Sequence, residues 1–138
     1  MIIADTGFWV ALASPRDDYH VLAKQKFAGL SESLITTWPV MTEVCHLLLQ
    51  RCGTLSQLKF IEMYRQGVFT VFDLDISYAE RLDQLMQSYA DLPMDLADAS
   101  LVLLAEALNH GRILSTDRRD FHAYRWKTNK PFTNLLVS

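Results

Sequence analysis

The chain has 138 residues, 50% of them hydrophobic and 21% charged, which fits one compact domain over 1–138 with a core large enough to fold alone. Its longest apolar runs, such as Ala99–Ala105 interrupted by Ser100, stop well short of the ~18 continuous apolar residues that cross a bilayer, so an integral membrane protein is excluded. The net charge of −3 hides an asymmetry: six bases and two acids from His110 onward give +4 against −7 before it, leaving open a basic rim for a polyanion and an ordinary solvated surface.

In chain order, Met1–Ala4 is a short apolar run that meets Asp5-Thr6-Gly7, which reads as a buried strand and then a turn. No basic leader or small-residue cleavage site precedes Asp5, so the expected location is the cytoplasm. Ser14-Pro15, followed by Asp17 and Asp18, opens a first helix that carries Tyr19, Leu22, Ala23 and Phe27 to Gly29. Leu34–Thr37 is a brief second strand, Pro39 starts a helix running to Gly53, and Thr54 caps a third helix that Gly67 closes. Val68–Leu74, rich in Val and Phe, reads as a central strand. Asp75 caps a helix through Tyr78, Leu82, Leu85, Met86 and Tyr89, and another helix runs from about Asp95 to Asn109, stopped by Gly111. Arg112–Thr116 is a strand, Asp117–Ala123 a turn or short helix, and Phe132–Val137 a last strand. The order βαβααβααββ defines an α/β fold with a largely parallel central sheet flanked by helices on both faces.

That map places four acids at one edge. Asp5 and Asp117 each follow a strand, and open α/β sheets bind ligands at the strands' carboxyl ends. Glu43 and Asp98 sit near the starts of their helices, so the topology can bring all four together. Packed carboxylates repel unless some are protonated or a cation lies among them. An oxygen-only donor set suits Mg²⁺ or Mn²⁺, and such an ion activates water for phosphodiester hydrolysis. Zinc is not expected, since there is no CxxC pair and His20, His46, His110 and His122 lack zinc spacing. Cys45 and Cys52 stand ~10 Å apart along one helix, too far for a disulfide.

Four segments carry a family likeness: Met1-Ile2-Ile3-Ala4-Asp5-Thr6-Gly7, Thr42-Glu43-Val44, Asp98-Ala99-Ser100-Leu101 with Ala105 beyond, and Leu114-Ser115-Thr116-Asp117-Arg118-Arg119-Asp120-Phe121. In this order the chain resembles a PIN domain, and within that superfamily the VapC-like ribonucleases, the toxin halves of bacterial toxin–antitoxin pairs. The resemblance implies a metal-dependent endoribonuclease in which Asp5, Glu43, Asp98 and Asp117 hold Mg²⁺ or Mn²⁺ and a metal-activated water displaces the 3′ oxygen from phosphorus. It further implies an auxiliary acid at Asp120, orienting hydroxyls at Thr116 and Thr6, an RNA substrate, a cognate antitoxin laid across the cleft, and a homodimer.

Ordinary roles stand beside these. Asp95 reads as an N-cap, His46 as a packed or surface histidine, and Asp73, Asp75, Asp83 and Asp91 as caps or solvated acids. Trp9 and Trp38 suit packing, whereas Trp126 remains available for base stacking. Arg118, Arg119, Arg125 and Lys127 are the phosphate-contact candidates. A haloacid-dehalogenase type of phosphatase wants a second Asp where Gly7 stands, and a dinucleotide oxidoreductase lacks its GxGxxG. A non-catalytic RNA- or protein-binding module with this fold is the remaining alternative.

Overall fold

The computed structural model describes residues 1–137; Ser138, the end of the expected domain, lies outside the described residues. In chain order the elements are β1 (Ile2–Ala4), α1 (Thr6–Ala13), α2 (His20–Ala28), β2 (Leu34–Thr37), α3 (Trp38–Arg51), α4 (Thr54–Arg65), β3 (Phe69–Phe72), α5 (Ala79–Ser88), α6 (Leu96–Leu108), β4 (Arg112–Leu114), α7 (Asp120–Ala123), β5 (Arg125–Trp126), β6 (Lys130–Pro131) and β7 (Thr133–Asn134). Five strands form a sheet in the order β3-β2-β1-β4-β7, and each neighbouring pair is parallel. β1 is central: Ile2 pairs with Leu34 on one side, and Ile3 pairs with Ile113 on the other. Successive strand residues point to opposite faces, yet Ile2, Ile3 and Ala4 are all buried, so both faces of β1 are covered.

Helix α1 corrects the expected turn at Asp5-Thr6-Gly7. Phe8, Trp9, Val10 and Ala11 are all buried, so this helix has no polar stripe, and a period-based reading passes over it. Trp9 packs edge-on to Phe60 at 5.4 Å between ring centroids and lies 4.5 Å from Phe69, which joins α1 to α4 and β3. The helix expected from Ser14-Pro15 starts only at His20. Ser14 instead ends α1, donating its N–H to Val10 O at 2.9 Å, and the Asp17 carboxylate accepts the Tyr19 N–H at 2.9 Å in the intervening turn.

Further corrections concern edges and ends. The strand expected at 68–74 covers Phe69–Phe72 and lies at the sheet's edge, paired only with β2. The third expected helix is capped by Gly53, at φ 99°, rather than by Thr54. α6 keeps its expected extent, ending at Leu108 with Asn109 as its C-cap, but the stop is Asn109 itself, in the left-handed region at φ 60°, rather than Gly111. β4 stops at Leu114 because Ser115 turns out of the ladder to bond side chains at the site. The last strand is only Thr133–Asn134, and the antiparallel β5–β6 pair was not expected; its turn places Lys127 and Thr128 at φ 45° and 73°. Two-residue strands leave no periodicity to read.

Candidate active site

Asp5 is the first residue beyond β1 and the N-cap of α1. Its Oδ1 accepts the Thr6 N–H at 2.7 Å and its Oδ2 accepts the Ser115 hydroxyl at 2.8 Å, so burial at 8% exposure leaves neither oxygen unbonded. The next residue, Thr6, donates its hydroxyl to Glu43 Oε1 at 2.7 Å. Glu43 stands on α3, which begins directly after β2.

Asp98 lies in the first turn of α6, where Asp95 accepts its backbone N–H at 2.8 Å and is thereby the expected N-cap. The start of α6 is fastened to the carboxyl end of β2, since the Thr37 and Ser100 hydroxyls lie 2.6 Å apart. Tyr124, fully buried behind the site, donates its hydroxyl to Asp98 Oδ2 at 3.1 Å. Asp117 follows β4 and accepts the N–H groups of Arg119 and Asp120 at 2.9 and 2.8 Å, while Ser115 Oγ accepts its N–H at 2.9 Å.

These groups border one open cleft of about 340 Å³ that includes Asp5, Thr6, Glu43, Asp95, Asp98, Thr116, Asp117 and Asp120. Gly7 also lines it, and a Cβ there would collide with Thr116 Oγ1, so only glycine lets the start of α1 lie against the loop after β4. Arg51, Leu47 and Asp17 extend the cleft along α3.

Burial raises the Asp5 pKa to about 6, with the Asp117 and Glu43 charges adding to it and the Ser115 and Thr6 hydrogen bonds opposing it. Burial, followed by the Asp95 and Asp5 charges, raises Asp98 to about 8, against the Tyr124 hydrogen bond. Glu43 and Asp120 are shifted upward as well, chiefly by desolvation and then by Asp95 and Asp117 respectively. Tyr124 is itself raised, by burial and by the Asp98 charge.

The donor set is entirely oxygen, with no Cys or His in the lining and Arg51 the single base among seven acids. Such a cleft is short of positive charge and fits a hard divalent cation. Among the described residues no group of three or more Asp, Glu, His or Cys side chains is placed to hold a metal ion.

The phosphate-contact candidates are not brought together. Arg118 and Arg119 are exposed beside Asp117, and Arg118 borders a smaller pocket that shares Asp117 with the main cleft. Arg125 turns its Nη1 onto the carbonyls of His122, Ala123 and Tyr124 at 2.9, 3.1 and 2.9 Å, closing the end of α7. Lys127 sits at the far end of α6, with its N–H on Glu106 and its Nζ 2.6 Å from Asn109 Oδ1. Neither Arg125 nor Lys127 lines the cleft, and exposed His46 does not either. Trp38 donates to Asp73 and Trp126 to the Pro131 carbonyl, both outside the cleft. Ser115 and Tyr124 were not foreseen. Ser115 stands in sequence between a strand and its terminal acid, but nothing there points to Asp5, and nothing in the spacing singles out Tyr124.

A parallel α/β sheet with an acid-lined cleft at its carboxyl edge is the class of protein that fold and site define. The model of the PIN domain matches residues 2–127, and the chain belongs to that family. Ribonuclease VapC26 of Mycobacterium tuberculosis is 24% identical over 124 residues, covering 90% of this chain and 92% of the relative. The 23S rRNA-specific endonuclease VapC20 of the same organism is 40% identical over 53 residues, covering 38% and 40%. The crystal structure of M. tuberculosis VapC20, described as a toxin that cleaves the sarcin-ricin loop, has the same fold, with a TM-score of 0.79 at 21% identity over 86% of this chain and 92% of that one.

Proposed function

We propose that this chain is a metal-dependent endoribonuclease and the toxin of a toxin–antitoxin pair. One observation carries the reading: carboxylates from positions 5, 43, 98 and 117 line a single cleft at the carboxyl edge of the sheet. In it Asp5, Glu43, Asp98 and Asp117 would hold Mg²⁺ or Mn²⁺. When bound, the ion supplies an activated water and offsets charge on the phosphate oxygens.

The chain's own residues fix the donors. Ser115 and the Thr6 N–H orient Asp5, the Thr6 hydroxyl orients Glu43, and Tyr124 orients Asp98. Asp120 lines the same cleft and would act through a water. Thr116 faces the cleft with its hydroxyl near Gly7 and is available to the scissile phosphate. Of the four phosphate-contact candidates read from the sequence, Arg118 and Arg119, beside Asp117, are the better placed for the RNA backbone. The substrate is RNA, the setting the cytoplasm and the working form a homodimer restrained by an antitoxin. The names of the two relatives, a ribonuclease and an rRNA endonuclease, support this class of substrate.

The test is expression of the chain alone beside Asp5→Asn at equal level, with total RNA examined for new ends. The wild type should arrest growth and cut RNA, and the variant should do neither. Growth arrest by both would overturn a catalytic toxin in favour of a binding module, because neutralising one carboxylate costs a binder little.

A further inference from the structure

Arg51 stands alone as a base in a cleft whose lining carries seven acids. It follows Glu43 and Leu47 at four-residue intervals on α3, so the three share a face, with Arg51 ~12 Å beyond Glu43 along the axis. Long helical side chains lean toward the helix N-terminus, which turns the Arg51 guanidinium back toward the acids. It is exposed, and among the described residues it makes no ion pair, even with Asp17 in the same lining. A cation in the last turn of a helix also offsets the helix dipole, but that role does not require a place in the cleft.

We propose that Arg51 is a substrate-binding residue that grips an RNA backbone phosphate flanking the scissile one, so that the strand leaves the acid centre along α3 and over Leu47. The proposal rests on the ribonuclease reading above. Among the residues lining this cleft Arg51 alone attracts a polyanion, and its planar fork matches two phosphate oxygens at once. The separation from Glu43 assigns it a neighbouring phosphate rather than the one that is cut.

The experiment is steady-state cleavage, with Mn²⁺, of a labelled mixed-sequence single-stranded RNA and of a labelled rRNA stem-loop, over a range of KCl concentrations. Arg51→Ala should raise KM roughly tenfold with kcat nearly unchanged, as loss of one charged hydrogen bond requires. Its log(kcat/KM) should fall less steeply with log[salt], the slope being smaller by about 0.7 for one lost phosphate contact. Arg51→Lys should restore most of the slope, and Arg51→Gln, a good helix former, should reproduce the alanine defect. Wild-type kinetics in Arg51→Ala, a defect confined to kcat, or a defect absent from Arg51→Gln would each overturn the proposal while the ribonuclease reading stands. A wild-type chain that cuts neither RNA would overturn both.

Discussion

Ser115 donates its hydroxyl to Asp5 at 2.8 Å, which ties the acid after β1 to the loop after β4. The same oxygen accepts the Asp117 N–H at 2.9 Å, so one small side chain sets the spacing of two carboxylates from opposite ends of the chain. That hydrogen bond also favours the ionised form of Asp5 against the cost of its burial.

Ser115→Ala should therefore push the Asp5 pKa further above about 6 and move the acid limb of the pH–rate profile to higher pH. Leaving a buried acceptor without its partner should also cost about 1–3 kcal/mol at neutral pH. Thermal melts and a kcat/KM profile check both. An acid limb that moved to lower pH would contradict the assigned direction.

Asp98→Asn should lower RNA cleavage at least about a hundredfold, the scale of losing one electrostatic contact to a transition state. The metal-free fold should become more stable, because a carboxyl that burial and Asp95 raise to about 8 must take up a proton on folding at neutral pH, and asparagine need not. Chemical denaturation in EDTA measures that gain. Asp95→Asn should keep most activity, since asparagine caps helices as well as aspartate does.

The metal-free chain should gain stability as pH falls. Asp5 goes from 3.8 to about 6 on folding, so the native state binds the proton more tightly and its penalty is complete above pH 6. Acidification through about 6 toward 3.8 should relieve on the order of 3 kcal/mol from this fully buried group, with Asp98 adding relief from about 8 downward. Saturating Mn²⁺ should reverse the slope, because the metal competes with those protons. Denaturation curves at pH 5 and 8, with and without Mn²⁺, give the sign.

Mg²⁺ or Mn²⁺ should raise the melting midpoint, adding about 2.7 kcal/mol at a hundredfold excess over its Kd. EDTA should abolish cleavage. Identical midpoints across a millimolar titration would count against the metal.

Arg125→Ala should lower Tm through loss of three carbonyl contacts and leave the KM for RNA unchanged. Arg118→Ala, exposed beside Asp117, should do the reverse. Melting and steady-state kinetics on the two variants separate the roles.

Elements with a strong period or clear punctuation were legible in the sequence. Pro39 marks the start of α3, Asp95 caps α6, and Leu34–Thr37 appears as a strand with the expected bounds. α1 was lost because a helix buried over most of its length carries no amphipathic signal, and its capping acid, Asp5, looked like the start of a turn. The acids at 5, 43, 98 and 117 could be named because each stands at a strand end or in an early helix turn, positions that topology alone sends to one edge. Their supports could not. Tyr124 reaches Asp98 across 26 positions and Ser115 reaches Asp5 across 110, relationships that exist only after packing. Arg125 and Lys127 were chosen by charge and proximity in sequence, yet local carbonyls and Glu106 decide where they point.

β1 sits in the middle of the sheet, and its partner on one side, β4, is made more than a hundred positions later, with Ile3 pairing Ile113. During synthesis, which exposes the N-terminal part first, Asp5 waits for both Ser115 and Asp117 until nearly the whole chain has emerged. A prematurely terminated product therefore carries the first three acids but no complete cleft. Completion of the cleft is thereby postponed until synthesis of the chain is nearly finished.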